Sequence, residues 1–158
     1  MMKLMVAALL ALASLAVHAQ PRPEYGPSIN LEQARKALAA GQAEARKQSW
    51  PVAIAIVDNA GHLVAYEKMD QTQTASVQVA IDKAVSAAIY RRPTKVFEDL
   101  VAKGGNGMRV MNLRNASTVE GGVPIYLDGK IIGGIGVSGV NSDQDGVVAK
   151  AGADAIAK

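Results

Sequence analysis

The chain has 158 residues, of which 17 are lysine or arginine and 14 are aspartate or glutamate, so its formal net charge is +3. This charge is small and no block of basic residues accompanies it, which argues against a nucleic-acid-binding surface. The sequence contains no cysteine, so disulfide bonds and thiolate metal sites are excluded.

The first 19 residues are predicted to be a signal peptide. Lys3 gives a positively charged start, residues 4–17 form an apolar run, and Val17-His18-Ala19 resembles a cleavage site with small residues. The run is too short for a membrane span, and no second apolar run follows it. We therefore expect export to a bacterial periplasm or to the medium, with no membrane span and with His62 as the single histidine of the mature chain.

Residues 20–29 hold three prolines and are predicted to be an extended lead-in to a single domain, 30–158. Asn30 and Gln33 match the pattern of a capping box at the start of a helix. An apolar stripe at helical spacing continues from there to Ser49-Trp50-Pro51, where this first helix should end.

Two strands joined by a turn are predicted next. Residues 52–57 are an apolar run rich in β-branched residues and alanine, which predicts a strand buried on both faces. Residues 58–61 have turn chemistry, and residues 62–69 form the returning strand. The turn therefore places His62 at the start of the second strand of a hairpin.

The clearest helical pattern lies between residues 77 and 89, where apolar residues recur at the spacing of one buried face. Several of them are alanines, which allow a close approach to a sheet. Pro93 ends this helix, and Thr94 is predicted to cap a short helix that runs through Lys103. Residues 104–119 show no periodicity and are predicted to form a loop, and loops of this length are commonly functional or mobile.

A second hairpin is predicted around Asp128-Gly129, because this pair favours positive φ at both positions of a tight turn. It joins strands at 123–127 and 130–137, and Pro124 should place the first strand at a sheet edge. Glycines in the second strand indicate that a helix, another subunit or a flat ligand packs very close to its backbone.

Residues 134–139 match the pattern G-x-G-x-x-G, but the chain has only 19 residues after Gly139. This length is too short for the βαβ unit of a dinucleotide site, so we interpret the segment as a glycine-rich core strand. Ser142 is then predicted to cap a last helix, with Asp143 and Asp145 in its first turn, where the helix dipole favours acidic groups. Two hairpins with helices before, between and after them predict an α+β (α/β) fold, in which helices cover an antiparallel sheet.

These motifs together resemble the GlcG/HbpS family of haem-binding proteins, whose domain is also labelled haem-degrading or DUF336-type. The resemblance rests on motifs spread over almost the whole mature chain: Asp58-Asn59-Ala60-Gly61-His62-Leu63, Lys68-Met69-Asp70, Asp82-Lys83-Ala84, Arg92-Pro93-Thr94, Gly121-Gly122-Val123-Pro124-Ile125, Gly133 to Gly139, and Gln144-Asp145. It implies a profilin-like sandwich with an antiparallel sheet of about five strands, a homo-oligomer, and haem as the cofactor. Whether haem is degraded is left open, and no catalytic residue is assigned.

Haem iron accepts histidine, methionine, tyrosine or cysteine as protein ligands. Because cysteine is absent and His62 is alone, two histidine ligands from one subunit are excluded. His62 is therefore the candidate metal ligand, with Tyr66, Met69, water or a second subunit as the source of a sixth ligand. The alternative is that His62 is a solvated residue at the tip of a hairpin.

Lys83 lies midway along the predicted helix beside small residues. It could reach Asp58 or Asp70 in a semi-buried cleft, either as a structural ion pair or as a ligand-binding cation. The cations available for haem propionates are Lys83, Arg91, Arg92, Arg109 and Arg114. The candidate cofactor-binding residues, chosen mainly through the resemblance, are His62, Asp58, Met69, Asp70, Lys83, Gly121 and Gly122.

Two other functions fit the same residues. The first is an enzyme or binding protein for a small carboxylate metabolite, held in a cleft around Asp58, Asp70, Lys83 and Gly121-Gly122. The second is an oligomeric interaction module that uses the glycine-rich face and carries no ligand. The preferred hypothesis is an exported haem-binding protein that serves in haem storage, transfer or sensing.

Overall fold

The computed structural model describes residues 22–156, so the signal peptide predicted for residues 1–19 lies outside the described residues. Helices and strands follow one another in the predicted order, and a 3₁₀-helix, Gly105–Asn112, lies between α3 and β3. The elements are α1 (Leu31–Gln48), β1 (Ala53–Asp58), β2 (Leu63–Lys68), α2 (Ser76–Tyr90), α3 (Lys95–Ala102), β3 (Gly122–Leu127), β4 (Lys130–Ser138) and α4 (Ser142–Asp154).

The sheet has four strands in the order β2-β1-β4-β3, and every neighbouring pair is antiparallel. This confirms the α+β sandwich, but the expected number of about five strands is wrong for residues 22–156. The lead-in forms only a single bridge, from Tyr25 to Ile131. The lead-in runs beside the start of β4, at residues of β4 that extend past the end of β1. There the amide of Ile131 donates to the carbonyl of Glu24 at 2.8 Å.

Side chains of β1 alternate between two helical layers. Ile54 and Ile56 join the larger apolar core, which also contains residues of α1 and α4. Ala53 and Ala55 point to the opposite face and pack with the alanines of α2. Both faces of β1 are therefore buried, as its continuous apolar sequence predicts.

Glycines in β4 allow α2 to lie directly on the strand. A Cβ atom on Gly134 would lie 2.5 Å from the carbonyl oxygen of Ala84, and one on Gly136 would overlap the carbonyl of Ala80. The close neighbour predicted for this strand is therefore a helix of the same chain. It is α2, whose alanine ridge meets these two glycines.

The second hairpin has the predicted turn, because Asp128 and Gly129 have φ values of 50° and 75°. Pro124 lies on β3, an edge strand, as predicted. The N-terminal segment of the loop predicted for residues 104–119 instead forms the 3₁₀-helix Gly105–Asn112. Within residues 22–156, no helix combines the length and apolar character that crossing a bilayer requires.

Helix caps agree with the sequence at α1 but differ at two other helices. Asn30 and Gln33 form the predicted capping box. At α4 the cap is Asn141 rather than Ser142, since Asn141 forms its own capping box with Gln144. Thr94 makes no capping bond to α3, because its hydroxyl instead accepts a hydrogen bond from the amide of Gly122 at 2.9 Å.

Candidate functional site

The first hairpin presents His62 to solvent beside an ordered carboxylate. One oxygen of Asp58 accepts hydrogen bonds from the backbone amides of Ala60 and His62, at 2.9 and 2.8 Å. The other oxygen lies 3.3 Å from Nδ1 of the His62 ring, whose side chain is 81% exposed. One ring nitrogen therefore lies near Asp58, and most of the imidazole is open to solvent.

The carboxyl group of Asp58 is stabilised in its ionised form. Burial on its own raises the pKa of Asp58, but hydrogen bonds from the amides of His62 and Ala60 and from the His62 ring outweigh this effect. The pKa of Asp58 consequently lies below its ordinary value. An ionised carboxylate on Nδ1 orients the imidazole and makes Nε2 a better metal ligand.

A cavity of about 670 Å³ lies across the exposed side of α2, and we call it the α2 cavity. Its volume falls within the range of ligand pockets. A Cβ atom on Gly61 would lie 3.3 Å from the side chain of Val85, which lines this cavity. The hairpin that carries His62 therefore packs against its wall. The lining consists of Gln78, Val79, Ile81, Asp82, Val85, Asn115, Ala116, Ser117, Thr118 and Val119.

Tyr66 lies on the same side of the sheet as α2. It pairs with Ala55 across the β1–β2 ladder and, like Ile81 and Val85, packs against the alanine cluster under α2. Its hydroxyl is buried and has no hydrogen-bond partner among residues 22–156. Burial also raises the pKa of Tyr66.

Met69 and Asp70 do not join His62 in one protomer. They follow the far end of β2, whose 6 residues of extended chain separate Met69 from His62 by about 20 Å. Met69 packs against the larger core on the α1 side of the sheet, while Asp70 is exposed. The structure therefore does not support Met69 as a second ligand to a metal bound by His62 of the same chain.

Lys83 is buried, and its partner is neither of the two predicted carboxylates. Its Nζ atom donates to Oδ2 of Asp145 at 2.8 Å and to the carbonyl of Val137 at 3.0 Å. The predicted pairing with Asp58 or Asp70 is wrong, because Asp145 points inward from the first turn of α4. Asp145 does lie in the first turn of α4, as predicted, but its carboxylate also pairs with Lys83, which the helix-dipole interpretation did not include. Within residues 22–156, Lys83 therefore does not join Asp58 and Asp70 in the cleft that the small-carboxylate hypothesis requires.

Burial raises the pKa of Asp145, and hydrogen bonding and charge attraction from Lys83 oppose this rise. The second oxygen of Asp145 accepts a hydrogen bond from the amide of Val140 at 3.2 Å. Sequence reasoning missed Asp145 as a site residue, because only its motif Gln144-Asp145 was noted and no local pattern connects it with Lys83.

Gly121 and Gly122 lie against this ion pair. Gly121 has φ of 124°, and a Cβ atom there would lie 2.8 Å from Nζ of Lys83 and 2.9 Å from Cβ of Asp145. A Cβ atom on Gly122 would overlap the carbonyl of Lys83. Both positions therefore require glycine for close packing.

The arginines considered for haem propionates have different surroundings. Arg91 donates to the carbonyl of Pro23 and stacks over the ring of Tyr25, while Arg92 lies over the ring of Phe97. Arg109 donates to the side chain of Asn106 within the 3₁₀-helix. Arg114 is exposed and directly precedes the segment 115–119 that lines the α2 cavity.

Comparison with known proteins finds a matching family model, a related sequence and related crystal structures that agree with one another. A family model described as "Haem degrading protein HbpS-like" matches residues 29–154. Protein GlcG of Escherichia coli strain K12 is 42% identical over 110 residues, which cover 70% of this chain and 81% of GlcG. The crystal structure of an HbpS double mutant from Streptomyces reticuli matches with a TM-score of 0.77 and 28% identity, covering 84% of this chain and 90% of that chain.

A crystal structure of PduOC in complex with haem also matches, with a TM-score of 0.73 and 26% identity. It covers 82% of this chain and 95% of that chain. The HbpS and PduOC structures share the fold described above. Because the family model matches residues 29–154 and the chain is 42% identical to GlcG over 110 residues, this chain belongs to the HbpS-like family.

Proposed function

We propose that this protein binds haem outside the cytoplasm and serves in haem storage, transfer or sensing. The observation that carries the proposal is the position of His62. Its ring is exposed, its Nδ1 atom faces an ionised Asp58, and its hairpin packs against the wall of the α2 cavity. The complex of the related PduOC with haem supports the choice of ligand.

The side chains around the α2 cavity fit a haem group. Beside the cavity, the hairpin that packs on its wall supplies the His62 imidazole, a ligand that haem iron accepts. Tyr66 does not line the cavity, and its buried hydroxyl has no partner among residues 22–156. Ile81, Val85 and Val119 give the cavity an apolar wall. Bound haem would supply an iron centre for redox or ligand chemistry, and these residues would bind and orient it.

Arg114 is our candidate for a propionate partner. It is exposed and adjoins the cavity wall at Asn115, whereas Lys83 is fully engaged with Asp145. An arginine can bind a carboxylate through two parallel hydrogen bonds. We therefore assign the propionate-binding role to Arg114 rather than to Lys83.

The test is a hemin titration of the mature protein, followed by its Soret band. His62→Ala should remove or shift the band and weaken hemin binding, and its circular dichroism should stay unchanged because the side chain is 81% exposed. Arg114→Gln should weaken binding with the Soret position retained. An unchanged spectrum in His62→Ala would remove His62 from the site, and absence of hemin binding to the wild type would refute the proposed function.

A matched control is Arg35→Gln. Arg35 is an exposed arginine of α1, and it lines a different cavity of about 470 Å³ on the opposite face of the sheet. Hemin binding should be the same in this variant as in the wild type. A loss with Arg35→Gln, and none with Arg114→Gln, would place haem on the α1 face instead.

Export and the role of binding need separate tests. The periplasmic fraction of the expressing cells should contain a chain that begins at Gln20, as shown by mass spectrometry. Uncleaved protein retained in the cytoplasm would contradict export.

Hemin recovered intact after aerobic incubation with a reductant would support storage, transfer or sensing, and its conversion to an open tetrapyrrole would support degradation.

A further inference from the structure

A second cavity, of about 320 Å³, lies at the β3 edge of the sheet, and we call it the edge cavity. It shares no lining residue with the α2 cavity. Pro93, Val123, Pro124, Tyr126 and Ala153 give it mostly apolar walls. Its volume is at the lower end of the range for ligand pockets, so a compact molecule would fit.

The floor of the edge cavity is backbone held in place by hydrogen bonds. The carbonyl of Gly121 accepts from the amide of Val137 at 2.9 Å. The amide of Gly122 donates to the Thr94 hydroxyl at 2.9 Å, and its carbonyl accepts from the amide of Thr94 at 3.0 Å. The backbone here is therefore preformed, and these three peptide groups are satisfied without a ligand.

The charged side chains of the edge cavity differ in whether they have partners. Lys95 pairs with Asp99, and Lys150 pairs with Asp154 at 2.5 Å. Glu120, by contrast, forms no ion pair within the described part of the chain. Its carboxylate lies against Gly146, where an added Cβ atom would come 2.5 Å from Oε1.

We infer that the edge cavity binds a compact apolar molecule that carries a protonated amine. The amine would pair with the carboxylate of Glu120, and the apolar part would lie against Val123, Pro124 and the ring of Tyr126. This inference does not depend on haem binding, because the two cavities share no residue.

The local charge supports a cation in particular. Burial raises the pKa of Glu120, the nearby carboxylates of Glu98 and Asp143 raise it further, and Lys95 only partly opposes the rise. An ammonium group would relieve this excess of negative charge. An anionic ligand would meet the carboxylate of Glu120 and two lysines that already have partners. A metal cage is not indicated either, because no three acidic or imidazole groups converge in residues 22–156.

The experiment compares three probes of similar shape on the mature full-length protein, by titration followed in amide NMR spectra near neutral pH. Benzylamine should shift the amides of Gly121, Gly122 and Tyr126, and it should bind at least about tenfold more tightly than benzyl alcohol. Equal affinity for the two probes would overturn the pairing with Glu120. Tighter binding of benzoate, or no binding of any probe, would overturn the site.

Glu120→Gln keeps the size of the side chain and should weaken benzylamine binding by at least about tenfold. The control is Glu32→Gln, which removes the same charge on α1, a helix that contributes no residue to the edge cavity, and should leave the affinity unchanged. An equal loss in both variants would mean that only net charge matters, and it would overturn the assignment. Displacement of benzylamine by one equivalent of hemin would show that the edge cavity is the haem site and not a second one.

Discussion

Nζ of Lys83 lies 2.8 Å from Oδ2 of Asp145, although the side chains come from different helices and are only 1% and 3% exposed. The pair joins the middle of α2 to the first turn of α4, and Lys83 also binds the carbonyl of Val137 in β4. A buried pair of this kind gains little stability over apolar residues, but each charge depends on the other for compensation.

Lys83→Met should therefore lower the free energy of unfolding by about 3–5 kcal/mol, because it leaves the carboxylate of Asp145 buried without its cation. Urea unfolding followed by circular dichroism measures this change. The double variant Lys83→Met/Asp145→Asn should be more stable than the single Lys83→Met variant. Destabilisation of the double variant by the sum of the two single effects would contradict the direct pairing.

Gly136→Ala should destabilise the protein by about 3 kcal/mol or more, because the new Cβ atom would overlap the carbonyl of Ala80 in α2. The backbone of a packed helix cannot move away from the new Cβ atom, whereas the end of a flexible side chain could. Urea unfolding of the wild type and of the variant measures the difference in their free energies of unfolding.

Gly41→Ala is the matched control for this substitution. Gly41 is buried within α1, and the tightest contact of a Cβ atom there would be the flexible terminal methyl of Ile54 at 3.1 Å, with two atoms of Val148 at 3.5 and 3.7 Å. Alanine also has a higher helix propensity than glycine, by about 1 kcal/mol. This variant should have nearly wild-type stability, and equal destabilisation of the two variants would show that contact with α2 is not decisive.

The sequence predicted those parts of the fold that depend on neighbouring residues. The turn at Asp128-Gly129, the capping box of Asn30 and the hairpin before His62 each follow from a few adjacent residues. The cap of α4 was misplaced by one residue, since Asn141 and Ser142 are both good capping residues and only the bond to Gln144 distinguishes them.

The candidate site could be predicted only in part, because it depends on contacts between distant segments. Lys83 and Asp145 are 62 positions apart, so spacing within a helix or strand gives no signal for their contact. The contact of Gly121 with Lys83 also joins distant segments, and no periodicity predicts it. The volume of a cavity likewise follows from how layers pack, and no motif encodes it.

Tyr66→Phe should leave stability unchanged or raise it by up to about 1 kcal/mol, because the hydroxyl is buried without a partner in residues 22–156. Tyr90→Phe provides the comparison. Its hydroxyl donates to the carbonyl of Arg114 at 2.6 Å, so its removal should lower the free energy of unfolding by about 1 kcal/mol. Thermal and urea unfolding measure both. A loss with Tyr66→Phe as large as that with Tyr90→Phe would show that the Tyr66 hydroxyl has a partner in solution.

Asp58→Asn should lower the free energy of unfolding by about 1 kcal/mol near neutral pH, because the ionised carboxylate accepts three hydrogen bonds from the turn and the His62 ring. The pKa of Asp58 in the folded protein lies below its ordinary value of 3.8. The ionised carboxylate therefore stabilises the fold above that value, and this stabilisation disappears as the pH falls through the lower pKa of the folded state. Urea unfolding of the wild type and Asp58→Asn across this pH range should show a constant gap above about pH 5 that closes in more acidic solution. A gap that widens on acidification would mean that Asp58 is not held in its ionised form by the turn.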